Sequence, residues 1–128
     1  MAIDDLKQNG MTNHLLTRLK SGETIGHYGR LVFAMVGRHF AEEDELVKLL
    51  KKDPDMDDEQ ARALVRQVEG RDYNPPRREK ILQFMQEQDF PICPDANDPD
   101  ACNVYKDLKF PDDVYEKIEQ YRQAKANA

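Results

Sequence analysis

Long apolar runs are missing. Nowhere does the chain approach the roughly 18 consecutive apolar residues that a membrane-spanning helix needs, so no membrane partner is expected. Cysteine is scarce: two in 128 residues do not make the disulfide framework of a small secreted protein. Residues 1–25 carry Asp4, Asp5 and polar side chains where a signal peptide would have its apolar stretch, which points to the cytoplasm. There is no glycine-rich phosphate loop, no His-Glu-x-x-His, no Cys-x-x-Cys and no Gly-x-Ser-x-Gly elbow. The nearest thing to a catalytic carboxylate pair is Asp98 with Asp100. A polymerase-type centre holds two divalent ions about 4 Å apart on a rigid scaffold. An Asp-Pro-Asp loop in a helical domain suits that poorly, and a solvated loop is the plainer reading. Catalysis by this chain alone is not expected.

What is present is charge. Charged residues make up 34% of the chain against six glycines and seven prolines, a balance that suits a helical globular domain rather than a disordered one. The length is enough to bury a core without help from a metal. The net charge of -6 argues against indiscriminate nucleic-acid binding over the whole surface. The distribution says more. Arg18, Lys20, Arg30 and Arg38 fall in one basic segment, and Arg71, Arg77, Arg78 and Lys80 in another. Acids gather between Glu42 and Glu59 and between Asp89 and Glu119. If the fold joins the basic segments, an acidic protein can still carry a phosphate-binding face.

Helical periodicity runs through the chain. Leu6, Met11, Leu15, Leu16 and Leu19 recur at helical spacing, with Gly10 as a break and Gly22 as a stop. A second helix is expected over 25–40, a third over 41–52, and a fourth opened by Asp57 and Gln60 as a capping box and ending before Gly70. A fifth should run over 78–88, entered through Pro75-Pro76, and a last from Pro111 or Asp112 with Val114, Tyr115, Ile118 and Tyr121 on one face. No strand alternation or internal repeat is visible. The expectation is an all-α, single compact domain of about six helices over 11–125, preceded by an extension over 1–10.

Three places could carry chemistry. In His27-Tyr28-Gly29-Arg30, His and Arg project from one face near a helix start, where backbone N–H groups and a planar guanidinium can meet phosphate. On spacing alone, a helix start with one surface Arg and one capping His explains the segment more simply. In Tyr73-Asn74-Pro75-Pro76-Arg77-Arg78, two prolines stiffen the approach to a helix, so paired arginines beside an aromatic could hold a base and its phosphate. Taken alone, a Pro-Pro turn with Tyr73 packed on the core fits that motif slightly better. Cys93 and Cys102 are too few for a closed zinc site or an iron–sulfur cluster. Two buried apolar side chains, or a disulfide under oxidising conditions, account for them better.

In this order, these places resemble the C-terminal, iron–sulfur domain of the archaeal and eukaryotic DNA primase large subunit. His27, Gly29 and Arg30 match that family's His-x-Gly-Arg motif, followed by the apolar run from Leu31 to Met35. The segment from Glu42 to Leu50 resembles its acidic helix, and Tyr73-Asn74-Pro75-Pro76 its Tyr-x-Pro turn. Phe90 to Pro94 and Asp98 to Cys102 resemble the stretches that carry its last two cysteines. Met11 and Arg77 or Arg78 stand at the first two cysteine positions, so Cys93 and Cys102 are remnant ligand positions and no cluster is expected as a cofactor. The resemblance implies a non-catalytic module of DNA replication. Such a module binds the initiating nucleoside triphosphate and single-stranded DNA template for a separate catalytic primase subunit or domain. It gives the contact role to His27, Arg30, Tyr73, Arg77 and Arg78. The alternative is a helical protein–protein adaptor that kept this fold without nucleic-acid binding.

Overall fold

Helices carry all the regular structure among the described residues, so the all-α class expected from periodicity holds. The computed structural model describes residues 3–95, 97, 98 and 100–126, with the backbone alone for 120–126. The side chain of Tyr121, expected on one face with Val114, Tyr115 and Ile118, lies outside the described residues. A 3-10 helix, Ile3–Gln8, is followed by α1 (Gly10–Lys20), α2 (Gly26–Gly37), α3 (Glu43–Leu50), α4 (Asp58–Gly70), α5 (Arg78–Met85), α6 (Val104–Asp107) and α7 (Asp112–Ala126). No helix among the described residues is long and apolar enough to cross a membrane.

Helix boundaries follow from identifiable caps. Asn9 starts α1: its Oδ1 accepts from the amides of Met11 and Thr12 at 3.1 and 3.2 Å. The same buried side chain donates to the carbonyl of Asn103 at 3.1 Å and to Asp107 at 3.0 Å, so one cap also ties α1 to α6. Leu6 is fully buried in the shared core, so residues 3–10, read as an extension, contribute to the interior. Gly22 adopts φ 77° and closes α1, as a left-handed residue after a helix end should. Asp57 and Gln60 form the expected capping box, each side chain bonding the other's amide at 2.8 and 3.0 Å.

Leu15, Leu19, Phe33, Leu46, Leu50, Val65 and Ile81 are among the core side chains removed from water. Each such burial contributes roughly 1.5–3 kcal/mol. Gly37 lets α2 and α3 approach: a Cβ there would stand 2.9 Å from Leu46 Cδ1, closer than side-chain contacts allow. α5 stops at Met85, short of the expected Gln88, and the Gln88 side chain bonds to the start of α2. Its Oε1 accepts from the amide of Tyr28 at 2.8 Å, and its Nε2 donates to the carbonyl of Ile25 at 3.0 Å. Gln88 thus caps α2 from another part of the chain.

Candidate functional site

The start of α2 is already occupied by the protein itself. The amide of Ile25 donates to Asp53 Oδ2 at 3.0 Å, that of Gly26 to Thr24 Oγ1 at 3.2 Å, and that of Tyr28 to Gln88. These are donors a phosphate would need at a helix start. Arg30 turns the same way: one guanidinium nitrogen lies 3.0 Å from Asp53 Oδ2, with the arginine side chain 11% exposed and the aspartate fully buried. Asp53 accepts two further bonds, from Thr24 Oγ1 at 3.0 Å and the amide of Asp55 at 2.9 Å. Burial works against the charged form of Asp53. The amides of Asp55 and Ile25, the Arg30 guanidinium and the Thr24 hydroxyl outweigh it and hold the carboxyl below its ordinary range. His27 is exposed and meets Tyr28 edge-on, ring centres 5.0 Å apart.

The Pro-Pro corner is built differently. α4 ends in a left-handed residue, Asp72 at φ 52°, with the amides of Asp72 and Tyr73 bonding back to Glu69 and Val68 at 3.1 and 3.2 Å. A non-glycine side chain there is uncommon, and Asp72 is held in place. Lys117 and Arg38 both bind its carboxylate, the latter at 2.9 Å, and together hold its pKa below the usual value. Arg38 also donates to the carbonyl of Tyr73 at 2.9 Å. The chain then runs extended through Pro75 and Pro76, whose neighbour Tyr105 donates its hydroxyl to the Pro75 carbonyl. Burial pushes the Tyr105 phenol up to about 12, so it stays protonated as that donor. Arg77 is the N-cap of α5 in extended conformation, which presents Arg77 and Arg78 from a fixed corner.

Two adjoining cavities open at this corner. One, of about 960 Å³, is lined by Leu31, Met35, Tyr73, Asn74, Lys80 and Phe84 among others. The other, of about 690 Å³, is lined by Arg78, Asn103 and Tyr115. Arg77, Glu79, Tyr105 and Ile118 line both, so the two form one trough between α2, α5, α6 and α7. One half is aromatic and apolar, and the other is lined by arginines. Glu79 and Glu119 make the lining mixed in charge.

The structure therefore brings Tyr73, Arg77 and Arg78 together and leaves His27 and Arg30 apart from them. Phe84, whose ring stacks on Tyr28 with centres 4.8 Å apart, lies roughly 10 Å along α5 from Arg77 at 1.5 Å per residue. His27 and Arg30 line neither half of the trough, although Leu31 and Phe84, next to the start of α2, line its larger half. On sequence, Lys80 falls in a basic segment without a contact role and Phe84 is not singled out, although Arg77, Lys80 and Phe84 fall at i, i+3 and i+7 on one helical face. Tyr105 and Ile118 carried no local signal, because only the fold brings α6 and α7 to the corner.

Cys93 and Cys102 are both buried with free thiols. Burial and the hydrogen-bonded Cys93 thiol push Cys102 up to about 12, against a smaller opposing effect of Arg78. Cys102 is therefore a protonated thiol near neutral pH. Among the described residues no group of three or more His, Cys, Asp or Glu gathers as metal ligands. An iron–sulfur cluster requires four thiolates or equivalent donors. Here Met11 is a fully buried core residue and a guanidinium stands beside Cys102, so these residues do not fit that group. Comparison with protein-family models, with curated proteins and with solved structures finds no significant match.

Proposed function

We propose that this chain is a non-catalytic accessory module of primer synthesis. It holds single-stranded template, and the triphosphate end of the initiating nucleotide, for a separate catalytic primase subunit or domain. The observation that carries the reading is the trough, in which Arg77, Arg78 and Lys80 adjoin Tyr73 and Tyr105. Phosphate needs the fork of a guanidinium, and an unpaired base needs an aromatic face; single-strand binders combine the two. The ordered motifs shared with the primase large subunit support the priming context. Priming must hold two nucleotides together before any duplex stabilises them, and a positioning module supplies that effective concentration. Arg30 takes no part in ligand contact, since it is committed to Asp53, and His27 lines neither half of the trough.

An adaptor working through its acidic surface has less support. Glu43, Asp44 and Asp58 are engaged by Arg62 and Arg66 at 2.8 to 3.9 Å, which blunts the field of α3 and α4. Fluorescence anisotropy with a short single-stranded DNA, titrated across salt, tests the proposal. Three cations on phosphates should give a slope of log affinity against log salt of about -2, from roughly -0.7 per contact. A primer with a 5′-triphosphate should bind tighter than its 5′-hydroxyl counterpart. Absence of binding at low salt, or affinity indifferent to salt, overturns it.

A further inference from the structure

A carboxylate stands in the half of the trough that a phosphate would enter. Glu119 lines the same cavity as Arg77 and Arg78, although it belongs to α7 and they open α5. Tyr115, Ile118 and Glu119 all line this cavity. They stand at i, i+3 and i+4, the stripe on which an amphipathic helix places apolar residues. An acid there is out of pattern. The rotation of α7 that aims this stripe is fixed at three points. Val114 is fully buried, the Tyr115 hydroxyl accepts from the Phe110 amide at 3.0 Å, and Lys117 binds Asp72. The other acid of the cavity has a local explanation: Glu79 lies in the first turn of α5, where a carboxylate suits the helix dipole. Glu119 lies about two turns into α7, too far along to gain from that effect.

We propose that Glu119 is a built-in competitor for phosphate, its carboxylate opposing entry of a strand to the arginine-lined half until a phosphate displaces it. The inference rests on the single-strand reading above and adds the regulation of that same site. Carboxylate and phosphate both present paired oxygens to a guanidinium, so one can replace the other without rearranging Arg77 or Arg78. Glu119 is exposed, and a change of rotamer withdraws its carboxylate while Val114 and Lys117 keep α7 anchored. The consequence is an affinity held below what the cations alone would give. A module that must hand its strand to a catalytic partner needs such ready release.

The test measures binding of a short 5′-hydroxyl single-stranded DNA by anisotropy across salt, with variants of α7 that change one charge. Glu119→Gln should bind about fivefold more tightly than the wild type at low salt, the upper scale of one exposed charge pair. The ratio should fall toward one as salt screens the carboxylate. Glu119→Asp, which keeps the charge, should stay near the wild type, and Glu119→Lys should bind tighter than Glu119→Gln. Glu116→Gln removes the same charge from an exposed position on the same helix that lines neither half of the trough. It should change affinity less than about twofold. Equal gains from Glu116→Gln and Glu119→Gln would mean that net charge alone acts, and overturn the competitor while the single-strand reading stands. Salt-dependent binding that Glu119→Gln fails to strengthen overturns it likewise. No binding by the wild type or any variant overturns the single-strand reading beneath it.

Discussion

Asp53→Ala is expected to melt about 10 °C below the wild-type protein. The side chain is fully buried and gathers Arg30, Thr24 and the amides of Ile25 and Asp55 at 2.9 to 3.0 Å. Removing it strands the largely buried guanidinium of Arg30, and breaking one side of a buried ion pair costs about 3 kcal/mol or more. For a chain of this size each kcal/mol moves the melting temperature by about 3–4 °C. Thermal unfolding followed by circular dichroism measures it. The pH dependence carries a sign. Because the folded carboxyl titrates below its unfolded value of about 4, its stabilisation is present above that pH and is lost as pH falls through the lower, folded pKa. Melting temperatures of the wild type and of Asp53→Asn should therefore differ at neutral pH and converge under acid. A constant gap down to strongly acid conditions would show that the charge of Asp53 does not act through this pairing.

The double substitution Arg77→Glu with Lys80→Glu should lower single-strand affinity on the order of 100-fold at low salt. Turning two attractive contacts into repulsive ones costs several kcal/mol, and each 1.4 kcal/mol is tenfold. Folding should survive. Both side chains are exposed, Arg77 makes no side-chain cap bond, and carboxylates in the first turn of α5 suit the helix dipole. The loss at Lys80 is its placement over the Phe84 ring at 5.3 Å, worth roughly 0.5–1 kcal/mol. Anisotropy gives the affinity and the melting curve gives the control. A variant that stays folded and binds like the wild type would remove the trough from the account.

The helices were legible because their signals are local. Gly22, the Asp57–Gln60 box and the twin prolines each act within one turn of where they stand in the chain. α6 was not legible, since four residues are too few for periodicity to register. The α2 start misled for a related reason. His27 and Arg30 have the spacing of a phosphate site, and nothing near them announces that Asp53 and Gln88 will fold onto that helix end. The long-range side chains won, satisfying the helix amides that were expected to be open. Half of the trough could be read from the consecutive residues Tyr73 to Arg78. The rest depended on Tyr105 and Ile118, which reach the corner only through packing.

Mapping the contact surface of a single strand tests the central claim most directly. With a uniformly ¹⁵N-labelled sample and a short deoxyadenosine strand, amide shift changes should centre on Asn74, Arg77 to Phe84, Asn103 to Tyr105 and Ile118. Changes centred on Gly26 to Arg30, with the residues of α5 unmoved, would contradict the account.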